Sequence, residues 1–187
     1  MARDPGANAL IADPARRGET LAAFALSMIP RLWVEIAESA RLPRDFAPLR
    51  LEWDCFGLYA CVRGLVAAGG FNRETAAAVD ALHQHVLEAW AAEDFAALDA
   101  RRARVAERYA EYGAIGQDGG ASGAATVTRR LGEACARHLA AAAAGDGSSG
   151  GATTTRSELA FEELAELVGG VHEALSEGAA EAVRVAA

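Results

Sequence analysis

Lysine is absent from the 187 residues, so all 18 positively charged side chains are arginines, against 26 aspartates and glutamates. The net charge of −8 excludes the basic surface that is typical of a nucleic-acid-binding protein. A requirement for forked guanidinium contacts would also replace lysine by arginine. The arginines are spread along the whole chain, which favours a general drift of an Ala-, Arg- and Gly-rich coding sequence instead.

Cysteines and long apolar runs are also scarce. The three cysteines, Cys55, Cys61 and Cys135, form no Cys-x-x-Cys pair, and an odd number does not fit a secreted disulfide framework. We expect them to be reduced and semi-buried. The first 20 residues lack the apolar stretch of a signal peptide, which predicts a cytoplasmic protein. No uninterrupted run of 18 apolar residues occurs, so no transmembrane segment is expected.

Motifs that name a reaction are missing as well. No phosphate-binding Gly-x-x-x-x-Gly-Lys and no Gly-x-Ser-x-Gly nucleophile elbow is present. No Glu-x-x-His pair of the kind found in di-iron bundles occurs either. The sequence therefore assigns no catalytic residue, no cofactor and no metal site, and an enzyme is the less favoured interpretation.

Alanine is what the chain has in excess, with 47 residues, whereas Leu, Ile, Val and Phe together number 39. Apolar residues recur at the spacing of helices, which predicts an all-α fold of about six helices. The segment 49–68 is apolar on more than one face and is expected to be the central helix of a bundle. Small residues let neighbouring helices approach closely.

The predicted organisation has four parts. Residues 1–18 form a flexible arm, 19–144 the helical bundle, 145–153 a Gly/Ser-rich linker, and 154–187 an acidic amphipathic helix. Within the bundle, Pro30 predicts a kink or break of the first helix. Asp45 is expected to cap the second helix and Asn72 the third, and the fourth is expected to stop at Gly113 before a glycine-rich loop.

The C-terminal helix suggests an interaction module. A heptad seam runs along it, and its members are Phe161, Leu164, Val168, Val171 and Leu175. Seven acids against two arginines make this segment strongly negative, and it is predicted to dock on the arginines at 101, 102, 104 and 108 within one chain or between two. We therefore expect a helical module that self-associates or binds a protein partner through this helix.

The alternative is a bundle that holds an apolar, haem-like or metal ligand near histidines that face the core. Its predicted ligand-binding residues are Trp53, His83, Trp90, Cys135 and His138. This requires the third and fifth helices to be neighbours. Glu52 and Asp54 point to different sides of the central helix; we expect them to stabilise the positive end of its dipole, and acid-base catalysis by either is a third interpretation.

Overall fold

In the computed structural model, which describes residues 9–144 and 154–185, the chain forms six α-helices and no β-strand. Side chains are described for these residues except 118–122 and 154–160. The predicted all-α fold of six helices is confirmed. The helices are α1 Pro14–Ser39, α2 Ala47–Gly69, α3 Arg73–Glu93, α4 Leu98–Ser122, α5 Ala124–Ala144 and α6 Thr154–Ala182.

Helix α2 lies at the centre, as its apolar surface predicts, and contacts each of the other five helices. Twelve of its residues are buried, and its aromatic side chains join a ladder from Trp33 of α1 through Trp53 and Phe56 to Tyr112 of α4. Helix α6 packs along α2, α5 and α1. The C-terminal helix is therefore part of the core.

Glycines, which have no side chain, lie where the helices cross closely. A Cβ on Gly64 would collide with the backbone of α6 at Ser176, and one on Gly132 of α5 would collide with α6 at Ala165. Gly18 lies in the same way against the backbone of α3 at Ala78. At these points the helix backbones touch, because only glycine leaves room for the neighbouring carbonyl.

Helix α1 begins five residues before the predicted start, so the flexible arm is wrong for residues 9–18. Asp13 accepts a hydrogen bond from the amide of Ala15 and Pro14 occupies the first turn, which is a favourable helix start. An isolated antiparallel bridge pairs Leu10 with Arg184 beyond α6. Residues 1–8 and the predicted linker at 145–153 lie outside the described residues.

Other helix boundaries also differ from the predicted ones. Helix α1 continues through Pro30, and α4 continues through Gly113 to Ser122. Burial of Tyr112 and Ile115 against the core outweighs the small helix-breaking cost of one glycine, about 1 kcal/mol. Asp45 caps nothing, because the residue before α2 is Phe46 and no side chain caps that end. Asn72 caps α3 as predicted.

Docking of α6 on the arginines of α4 within one chain is excluded, because α4 and α6 do not contact in the described chain; docking between two chains stays a prediction. The arginines of α4 pair with carboxylates of α2, α3 and α4 itself.

By length and hydropathy, α1 is the one described helix that is long and apolar enough to span a membrane. In this fold it packs against α3 and contributes nine buried residues, as a core helix does.

Replacing Gly132 by Ala should lower the free energy of unfolding by about 1–3 kcal/mol, because the added Cβ forces α5 away from α6. The matched control is Gly170→Ala, also inside a helix, where nothing lies within 4 Å of the new Cβ. That variant should gain about 0.5–1 kcal/mol. Urea unfolding followed by far-UV circular dichroism measures both; equal effects would contradict glycine-dependent packing.

Candidate functional site

A cleft beside helix α3 joins apolar walls with charged and polar side chains. Helix α3 packs extensively on α1 but touches α2 and α4 only sparsely. Two cavities of about 300 and 180 Å³ remain in the gap, and both are lined by Leu58, Val86 and Trp90. We call the pair the Trp90 cleft.

The larger cavity, which we call the ionic cavity, combines apolar walls with four charged groups. Helix α1 contributes Ala25, Leu26, Ile29 and Pro30. The charged groups come from the other three helices. They are Arg50 and Asp54 of α2, Glu93 of α3 and Arg101 of α4.

These charges form two ion pairs. Arg50 donates from Nε to Oδ1 of Asp54 over 2.8 Å, and Arg101 donates from Nη1 to Oε2 of Glu93 over 3.0 Å. The guanidinium of Arg101 also lies 5.5 Å from the ring centre of Trp90, in cation–π range. The arginines are thus held at the rim of the cavity beside its aromatic wall.

Burial raises the pKa of Asp54 to about 6, and the attraction of Arg50 and then of Arg101 only partly opposes this. Glu93 raises it slightly further. A carboxyl group whose pKa is raised inside a cleft is a common property of functional sites. The spacing of Arg50 and Asp54, one helical turn apart, is visible in the sequence, but their burial is not.

The smaller cavity lies between α3 and α4 and is nearly all apolar. Its polar lining includes Arg102, His83 and Tyr109, and the Tyr109 hydroxyl lies 2.9 Å from Nε2 of His83. Burial lowers the pKa of His83 and raises that of Tyr109. The pair is therefore neutral at physiological pH, and the two groups share one hydrogen bond.

The five predicted ligand-binding residues do not converge. Trp90 and His83 line the cleft, whereas Trp53 is fully buried and donates from Nε1 to the carbonyl of Ile29 over 2.8 Å. His138 and Cys135 lie on α5, which does not contact α3 in the described chain. The α3–α5 neighbourhood that this alternative requires does not form, because α2 and α4 separate those helices.

His138 and Cys135 have local partners instead. Nε2 of His138 lies 2.6 Å from a carboxylate oxygen of Glu111. Cys135 is fully buried, and burial raises its pKa well above the usual value, so its thiol stays protonated. All three cysteines are free, and they are fully buried where semi-buried side chains were expected.

Glu52 has a structural role that its position in the sequence did not suggest. It is 5% exposed and accepts two hydrogen bonds from Arg108, from Nε over 2.5 Å and from Nη2 over 2.9 Å. Arg104 adds a third over 2.8 Å. Glu52 therefore fastens α2 to α4, and the dipole interpretation is not needed for it.

The heptad seam of α6 is turned inward. Val168 and Leu175 are at most 1% exposed, and Leu164 is also buried, whereas Phe161 and Val171 are partly exposed. The groove of about 920 Å³ between α5 and α6 includes Phe161 in its lining. Most of the predicted interaction surface is thus used within the chain.

His172 is the histidine that sequence reasoning passed over. It is 2% exposed among Phe56, Tyr59 and other core groups, and neither ring nitrogen has a hydrogen-bond partner among the described residues. Burial, together with repulsion by Arg63, lowers its pKa to about 3. The imidazole is therefore neutral in the folded protein.

His172 should make the protein acid-sensitive. The unfolded chain takes up the proton near pH 6.5 but the native chain only near pH 3, so stability falls as pH drops through this window. Between about pH 7 and pH 5 the loss from this residue is about 2 kcal/mol. Urea unfolding at both pH values should show a correspondingly smaller loss in His172→Leu. His85→Gln, at a half-exposed histidine, should behave as wild type; parallel losses in all three proteins would contradict the assignment.

Among the described residues no group of three or more His, Cys, Asp or Glu side chains is placed to hold a metal ion. The Trp90 cleft offers both space and polar groups beside buried aromatic and aliphatic walls. Comparisons of this chain with protein-family models, with curated proteins and with solved structures found no match.

Proposed function

We propose that the protein is a helical bundle that binds a small, largely apolar molecule in the Trp90 cleft. Binding sites for small molecules are concave, mostly apolar and furnished with a few convergent polar groups. The ionic cavity has this composition, since its aliphatic and aromatic lining includes four charged side chains, three of which act on the carboxyl group of the fourth, Asp54. This observation carries the proposal.

The size of the cleft limits the ligand. The ionic cavity, at about 300 Å³, lies at the lower end of the range of about 300–1,000 Å³ found for such sites. A bicyclic aromatic or short aliphatic compound is therefore a suitable ligand, and a haem is too large. Trp90 forms a wall of both cavities, so its ring is the natural contact for an aromatic ligand.

The neutral fluorescent amine N-phenyl-1-naphthylamine should bind with a stoichiometry of one and gain fluorescence in the wild type. Ala89 of α3 lines the ionic cavity, so Ala89→Phe fills the space and should weaken binding by about tenfold or more. Ala92→Phe adds the same ring to an exposed position on the same helix and is the matched control. Equal affinity in Ala89→Phe and Ala92→Phe, or no saturable binding by the wild type, would rule out a binding site here.

A second candidate function is self-association through the C-terminal helix. The supporting observation is the groove between α5 and α6, where partly exposed Phe161 lies beside Ala165 and Gly169. Carboxylates of α6, such as Glu162 and Glu166, border this apolar strip, and Arg129 of α5 lies opposite. Arg129 is already paired with Glu133 of α5, so the apolar strip, and not the charges, would supply the contact with a second copy.

If this groove is an interface between copies, Phe161→Glu should convert a dimer into a monomer, because a charge in an apolar contact is left unpaired. Size-exclusion chromatography with light scattering measures the mass. Val34→Glu, at a 39% exposed apolar position of α1, is the control and should leave the mass unchanged. A monomeric wild type, or a dimer that persists in Phe161→Glu, would exclude this candidate.

A further inference from the structure

The charged rim of the ionic cavity indicates which ligand the cavity selects. Its four groups, Arg50, Asp54, Glu93 and Arg101, are electrically balanced when all are ionised. The wall that α1 forms contributes only apolar side chains. The response of this cluster to an added charge is therefore set by which of its members can change protonation.

Only the carboxyl groups can change. An arginine in a protein does not lose its proton, so the cluster has no means of becoming negative and accommodating a cation. Asp54, with an exposed side-chain fraction of 14%, is the member least able to remain ionised, because burial raises its pKa to about 6. Taking up one proton gives the cluster a single positive charge and leaves Arg50 without an anionic partner.

We infer that the ligand of the ionic cavity is a small apolar carboxylic acid in its ionised form, whose carboxylate replaces Asp54 as the partner of Arg50 while Asp54 takes up a proton from solvent. Arg50 presents its guanidinium at the rim, and an aryl or alkyl group of the ligand extends toward Trp90 and Leu58. The exchange keeps the number of buried charges constant, so the desolvation cost that limits buried ion pairs is not increased.

Arg101 supports the same selection. Its guanidinium lies over Trp90 and is paired with Glu93, whose side chain is 69% exposed and therefore only weakly bound. A ligand carboxylate at the rim has this second arginine within the same cluster. An ammonium ligand, in contrast, meets two guanidiniums that cannot be neutralised. This inference rests on the proposed function, and the experiment below separates the two.

Three probes of equal shape test the inference: 2-naphthoate, 2-naphthamide and 2-naphthylmethylamine. Each is measured by displacement of N-phenyl-1-naphthylamine. Naphthoate should bind about tenfold or more tightly than the amide at pH about 6, and the ammonium should bind more weakly than the amide. Above the pKa of free Asp54, naphthoate affinity should fall by up to about tenfold per pH unit, because each binding event must add a proton.

Three variants test which residues produce the preference for the carboxylate and its pH dependence. Asp54→Asn should abolish the pH dependence and the proton uptake seen by calorimetry in buffers of different ionisation enthalpy. Arg50→Gln should reduce naphthoate to the affinity of the amide while the amide binds unchanged. Glu88→Gln removes an exposed carboxylate of α3 outside the ionic cavity and should change neither.

The outcomes are distinct. If the amide or the ammonium binds as tightly as naphthoate, or if the pH dependence survives in Asp54→Asn, the inference is overturned while the proposed function stands. If none of the three probes displaces N-phenyl-1-naphthylamine and that compound itself fails to bind, both fall.

Discussion

The backbone contact between helices at glycine is the constraint on which this fold depends. Gly64 of α2 and Gly132 of α5 let α6 lie directly against both helices, and Gly18 does the same between α1 and α3. With few large aliphatic side chains available, the chain gains core density by bringing backbones together instead of by filling wide gaps. The same close approach of helix backbones explains why α2 can contact five neighbouring helices.

The Trp90 cleft forms because α3 and α4 are packed against different helices. Helix α3 is held tightly on α1 at the Gly18 crossing, while α4 is fastened to α2 by the buried contact of Glu52 with Arg108. The two helices are anchored to different partners, so they diverge and leave Trp90 between two cavities. A buried bidentate arginine–carboxylate pair fixes geometry more than it adds net stability, because desolvation offsets much of the attraction.

Sequence patterns predicted the number and type of the helices, the central place of α2 and the cap at Asn72. They failed where a local preference competes with burial. Gly113 and Pro30 are helix breakers in isolation, yet packing of Tyr112 and Ile115 and of the stripe around Ile29 carries α4 and α1 through them. The candidate site was predicted in part: Trp90 and His83 line the cleft, whereas Arg50 and Arg101 join it through the arrangement of α2 and α4.

By itself, the sequence determined the helical class, the inward face of each helix and the positions where side chains are small enough for close approach, because these depend on residues within one or two helical turns. Only the tertiary structure decided which helices meet. That choice buried Val168 and Leu175 inside the chain, separated His83 from His138, and gathered two arginines and two carboxylates from three helices around one cavity. Such juxtapositions involve residues from 52 to 116 positions apart, as in the contacts of Glu52 with Arg104 and of Ala60 with Ser176, and no local periodicity encodes the distance between them.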